Sequence, residues 1–151
     1  MTLATLIDRL IYRARCKAPD LVVGSSKRPY MHRWWLIPRN PVFNVYLHHF
    51  LRSDDDRALH DHPWPSLSIL LRGSYLEHTI QEGGIHHRRV RRAGAIVLRG
   101  PRSAHRIELH HGACWTLFLT GPRLRNWGFH LPLRGWVPHD VFMREGQANN
   151  D

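Results

Sequence analysis

The residues of this chain that could do chemistry are its histidines, and two of them stand in a meaningful arrangement in Leu59-His60-Asp61-His62-Pro63-Trp64. In an extended strand, residues two apart share a face and lie about 6.6 Å apart along the axis. Two imidazoles at that spacing can lean onto one divalent cation, each about 2.0–2.1 Å from it. On a helix, residues two apart do not face one another, so the pattern has chemical meaning only in an extended segment. Asp61 falls on the opposite face and is expected not to ligate. The chain carries 13 histidines, so neighbourhood must separate ligands from background. The pair follows the acidic turn Asp54-Asp55-Asp56 and precedes an apolar strand that begins near Ser66. A second segment runs from Gly94 through Gly100-Pro101 to His105. It reads as a strand, a Gly-Pro turn and a histidine entering the next strand. An antiparallel fold can lay this hairpin against the segment that carries His60 and His62.

The elements that must position these groups are short strands. Trp34 to Ile37 and Val42 to Phe50 are rich in β-branched and aromatic residues and are cut by Pro38 and Pro41. Ser66 to Leu71 ends at Gly73, Tyr75 to Ile80 at Gly83-Gly84, and His87 to Arg91 near Gly94. Ala95 to Arg99, Arg106 to Leu109 and Ala113 to Thr120 are likewise closed by Gly or Pro. Such spacing implies an antiparallel sandwich or barrel. Before the strands, Leu3, Leu6, Ile7, Leu10 and Ile11 recur at helical spacing, and Pro19 ends the pattern. This amphipathic helix is expected to pack on the body of the domain. In Val42 to Phe50, either His48 or His49 can point inward. The aromatic stretches Trp127 to His130 and Gly135 to His139 are expected to close one end of the barrel. Arg123 and Arg125 beside them could hold an acidic substrate or be solvated. His110-His111-Gly112 reads as a hairpin turn.

At its two histidine segments the sequence resembles the cupin superfamily, small β-barrels of jelly-roll type. His60, His62 and Gly73 match the spacing of the first cupin motif, G-x5-H-x-H-x3-4-E-x6-G. Gly94 and His105 match that of the second, G-x5-P-x-G-x2-H-x3-N. The first motif's leading glycine is absent and its glutamate slot holds Ser66. In the second, Gly100, Arg102 and Leu109 stand in the proline, glycine and asparagine slots, with Pro101 one place from its expected position.

The resemblance implies an all-β fold, an antiparallel jelly-roll (cupin) β-barrel with a short N-terminal α-helix. Residues 1–19 would form the helix, 20–145 the barrel and 146–151 a flexible polar tail. It implies a metal held by His60, His62 and His105, with open positions because Ser66 replaces the glutamate. Iron comes first, with nickel, zinc or manganese as other occupants that the sequence cannot separate. The activity implied is metal-dependent work on a small molecule, of the non-haem iron dioxygenase type that the thiol dioxygenases represent. The alternatives are a non-redox isomerase, epimerase or hydrolase, and a non-catalytic ligand-binding cupin. If the strand runs on without a bulge, Ser66 and Ser68 share the parity of His60 and His62 and line the pocket with Trp64. No catalytic side chain is assigned. Because cupin barrels often pair, a homodimer is expected.

Composition removes the other classes. The chain has 151 residues, 42% hydrophobic and 23% charged, which suits one globular domain with its own core. No apolar run is long enough for a membrane span. Asp8 and Arg9 interrupt the apolar start, so no secretory signal is expected. Two cysteines, Cys16 and Cys114, are too few for a disulfide framework and point to the cytoplasm. The net charge is +10, but of the 22 basic residues only Lys17 and Lys27 are lysine. That skew fits a GC-rich coding sequence better than a nucleic-acid binder. The densest cluster, His86-His87-Arg88-Arg89-Val90-Arg91-Arg92, accordingly reads as a solvated edge strand rather than a nucleic-acid contact.

Overall fold

The computed structural model describes residues 2–25, 27–54, 58–80, 84 and 86–148. Helix α1 spans Leu3–Arg15, with the Thr2 hydroxyl capping it by accepting from the Thr5 backbone N–H. Twelve strands follow: β1 (Leu21–Ser25), β2 (Arg28–Trp35), β3 (Asn44–Phe50), β4 (Leu59–His60), β5 (Ser66–Arg72), β6 (Ser74–Ile80), β7 (His86–Arg92), β8 (Ile96–Arg99), β9 (His105–Glu108), β10 (Cys114–Thr120), β11 (Gly128–Leu131) and β12 (Gly135–Pro138). Helix α2, His139–Ala148, ends the described chain.

The strands form two six-stranded antiparallel sheets, ordered β1-β2-β3-β10-β5-β8 and β12-β11-β4-β9-β6-β7. The chain therefore adopts the expected antiparallel jelly roll with an N-terminal helix. Its sheets pack face to face, and no ladder among the described residues closes them into a continuous barrel. Met31, Phe50, Leu70 and Cys114 of the first sheet meet Tyr75 and Ile107 of the second in the buried core. On the outer side of the first sheet, α1 lays Ile11 and Ala14 against Trp34, Leu47 and Trp115. The helix face is set by Ile7, Leu10, Ile11 and Ala14, whereas Leu3 and Leu6 remain exposed. With this outer layer fixed, alternation sends Arg33, His48 and Thr116 toward the other sheet.

The strand pairing explains several local features. Gly73 joins β5 to β6 at φ +86°, and a Cβ there would meet Cys114 Cβ at 2.8 Å and Ala113 O at 2.9 Å. Only glycine suits both the left-handed backbone and the close approach. The basic strand β7 is an edge strand of the second sheet, as its charge anticipates. His110 to Gly112 lies between β9 and β10, which belong to different sheets, so it is a crossover between layers and not a hairpin turn.

One expectation changes, and the C-terminal segment adds a helix. The stretch from Asp61 to Pro65 is not strand, so β4 is only two residues long and β5 begins afresh in the other sheet. Pro63 and Pro65 lack the backbone donor a ladder needs, which is why the extended run breaks there. The C-terminal aromatics lead into α2, which stacks Phe142 on Phe129 at 4.1 Å and His139 on Trp127 at 4.6 Å. This helix reaches Ala148, inside the segment expected to be a frayed tail. Asp55 and Asp56 of the acidic turn, Gly83, and residues 149–151 of that tail lie outside the described residues. No described helix is long and apolar enough to cross a membrane.

Candidate metal centre

β4 and β9 pair with His60 directly opposite His105. His62 follows on the loop after β4, which is pinned by the Asp61 N–H donating to Gly128 O at 3.0 Å. The three rings form an almost equilateral group, with centroids 5.2 Å (His60–His62), 5.0 Å (His60–His105) and 5.2 Å (His62–His105) apart. One nitrogen from each lies within 4.8 Å of the other two. The Nε2 atoms of His62 and His105 are 2.9 Å apart. Two ligands bonded at about 2.0–2.1 Å take up such a spacing when their bonds stand near a right angle.

The electrostatics suit a cation. Burial first, then neighbouring His60 and Arg99, hold His62 and His105 well below the ordinary imidazole pKa. Both are therefore neutral near pH 7 and offer lone pairs without first losing a proton. His105 Nδ1 is buried without a hydrogen-bond partner and lies 3.9 Å from Glu77 Oε1. A carboxylate behind a ligating imidazole is the usual outer support of a metal site. Glu77 is 2% exposed and is itself held by Arg99 and by Arg91 Nε at 2.7 Å. Burial raises the Glu77 pKa, but the two guanidiniums outweigh it and keep the carboxyl below its ordinary value. These residues fit a divalent metal, and no carboxylate belongs to the convergent trio.

The trio opens into a cavity of about 480 Å³ between the sheets. Its wall includes Trp64, Ser68, Phe118, Trp127, Phe129 and Met143. Of the residues expected to line a pocket, Trp64 and Ser68 reach it, while Ser66 is buried elsewhere with its hydroxyl unpartnered. His48 points inward at 3% exposure, and His49 stacks on Trp115 on the outer face at 4.0 Å.

Asp61 has a role that strand alternation did not reveal. It is 1% exposed and accepts from Arg125 Nη1 at 2.6 Å, Gly128 N at 2.8 Å, Trp136 Nε1 at 3.0 Å and His130 Nε2 at 3.2 Å. Its carboxylate fastens the His60–His62 segment to β11 and β12. Arg125 is thereby committed to Asp61. The only local signal was an acid between two histidines, and its partners lie more than sixty residues away in sequence. Asp61→Ala leaves a partly buried guanidinium and an indole N–H without their acceptor, and should cost about 3 kcal/mol. For a chain of this size that lowers Tm by roughly 6–12 °C; an unchanged thermal melt would refute the anchoring role.

No protein-family model matches the sequence, and no curated protein matches it. Solved structures do resemble its fold. DMSP lyase DddQ from Ruegeria pomeroyi DSS-3 superimposes with a TM-score of 0.60 at 18% identity, over 80% of this chain and 64% of that one. An Fe(II) form of HppE with the alternative substrate (S)-1-HPP gives 0.55 at 14% identity, over 70% and 56%. The chain has the cupin fold. A putative mannose-6-phosphate isomerase from Ralstonia eutropha JMP134 gives 0.52 at 17% identity, over 68% of this chain and 92% of that one. The chain thus spans less than two thirds of the lyase and of HppE. The three similar proteins are named for different reactions.

Proposed function

We propose that this cupin is a metal-dependent enzyme acting on a small molecule, and that its chemistry is of the non-haem iron dioxygenase type. The observation that carries the proposal is the convergence of three imidazoles, without a carboxylate, at the wall of a largely apolar cavity. His60, His62 and His105 would hold the metal. Ferrous iron there would supply redox chemistry toward oxygen while keeping its full double positive charge. The side chains divide the remaining work. Glu77 supports His105, and Asp61 fixes the loop that presents His62. Trp64, Phe118, Trp127 and Phe129 exclude water, and Ser68 offers a hydroxyl to substrate. Cys16 and Cys114 are both free thiols, which suits work in the cytoplasm, and a homodimer is the assembly we propose.

Metal analysis of the purified protein, followed by anaerobic loading with Fe(II) and oxygen electrode measurements over a panel of thiols and small acids, tests this reading. About one iron per chain and substrate-dependent oxygen uptake are expected. A loaded protein that consumes no oxygen with any of the panel would replace the dioxygenase with a non-redox lyase or isomerase chemistry. A protein that retains no metal would leave a ligand-binding barrel.

A further inference from the structure

Across the first sheet, Arg33 of β2 lies directly opposite His48 of β3, and His48 lies directly opposite Thr116 of β10. All three line the cavity that contains the histidine trio. Arg33 donates from Nε to His48 Nε2 at 2.8 Å, so that nitrogen is the unprotonated one and His48 is committed to orienting the guanidinium. The guanidinium carbon also sits 4.8 Å from the centre of the Tyr46 ring. These contacts fix the cation without neutralising it. Among the described residues, no carboxylate lies within ion-pair distance of Arg33. Two other charged groups of the cavity wall are already engaged. Arg99 is paired with Glu77, and Asp54 accepts from the Ile107 N–H at 2.7 Å. Thr116 Oγ1 and Trp64 Nε1, both lining the cavity, are buried and have no hydrogen-bond partner.

An unpaired cation with its two terminal nitrogens spare, in a cavity whose buried hydroxyl and indole also lack partners, is a site waiting for an acceptor. The geometry points to Arg33 as the anchor of an anion subsite that binds the carboxylate of a small organic acid whose apolar body lies against Phe118 and Trp64. A guanidinium fork matches a carboxylate with two parallel hydrogen bonds, and one spare positive charge balances one negative charge. Arg33 and the trio line the same cavity, so a ligand held by this anchor lies in the space the trio faces. The inference deepens the proposed function by giving its substrate class, and so rests on that reading for its catalytic meaning. The binding itself depends only on Arg33.

Benzoate and benzamide share a body and differ in charge, which makes them the probes. Each is titrated calorimetrically into wild type and Arg33→Met, metal-free and zinc-loaded. Metal-free wild type should bind benzoate about tenfold to a hundredfold more tightly than benzamide. Arg33→Met, once a thermal melt has shown it folded, should bind the two equally. Equal affinities in wild type, or no benzoate binding at millimolar concentration, would overturn the subsite without recourse to the variant. Benzoate selectivity that arises only with zinc and survives in Arg33→Met would also overturn it, assigning the carboxylate to the metal. If zinc fails to load while metal-free wild type keeps an Arg33-dependent selectivity, the subsite stands and the metal reading falls.

Discussion

His105→Ala protein should lose its metal, with affinity lowered by at least about a hundredfold. Substituting a residue that merely supports a ligand already costs about 10–100-fold, and His105 is itself one of three candidate donors. Its Nε2 lies 2.9 Å from His62 Nε2, and its ring stands directly across the ladder from His60, so no other side chain can take its place without moving β9. His49→Ala is the matched control. That ring stacks on Trp115 on the outer face of the sheet, remote from the cavity wall, and its loss should leave metal binding unchanged. Metal content after dialysis and a zinc titration against a competing chelator provide the measurement. Wild-type stoichiometry and affinity in His105→Ala would remove the trio as the site.

Metal-free protein should lose stability steeply once the pH falls below about 6.5. Burial is the leading reason that His48, His62 and His105 have pKa values well below the ordinary 6.5. Between each native value and 6.5, the unfolded chain binds a proton that the native chain refuses. Stability therefore falls as pH falls through this window, by about 1.4 kcal/mol per pH unit for each such group. Three groups acting together make roughly 4 kcal/mol per unit, a large share of the 5–15 kcal/mol that holds a typical domain. The depressed carboxyls Glu77 and Glu108 act in the same direction but only below their ordinary 4.5, so the two effects separate on the pH axis. Urea melts at pH 7.0 and 5.5 measure the difference, and equal midpoints would refute the neutral, desolvated state of these rings. A bound metal should move the loss to lower pH, because it stabilises only the native form.

Local sequence determined a large part of this protein. The helical spacing from Leu3 to Ile11 marked α1, although its buried face continues to Ala14 and leaves Leu3 and Leu6 exposed. Strands β5, β6, β8, β9 and β10 were each legible from a short apolar or alternating run ended by Gly or Pro, and β7 from its basic run before Gly94. Those signals act between near neighbours, through backbone sterics and the period of side-chain direction, so one-dimensional text contains them. Spacing marked the His60–His62 pair, and the resemblance to the two cupin motifs joined His105 to it among 13 histidines. The two-residue β4 and the whole of α2 were not legible. The first is kept extended by partners on β9 and β11, and the second is held by the packing of Phe142 on Phe129.

Tertiary structure decided what surrounds the histidines. Alternation placed Asp61 on the far face and stopped there; only the return of β11 and β12 surrounds it with four donors. The choice between His48 and His49 was a matter of one residue in register, settled when α1 covered the face that carries His49. Arg33 could not be distinguished from any other arginine until β3 set His48 opposite it and no carboxylate among the described residues came within reach. Burial, charge pairing and the absence of a partner are properties of positions in space. They arise from contacts between residues tens of positions apart, whose free energy no local pattern records.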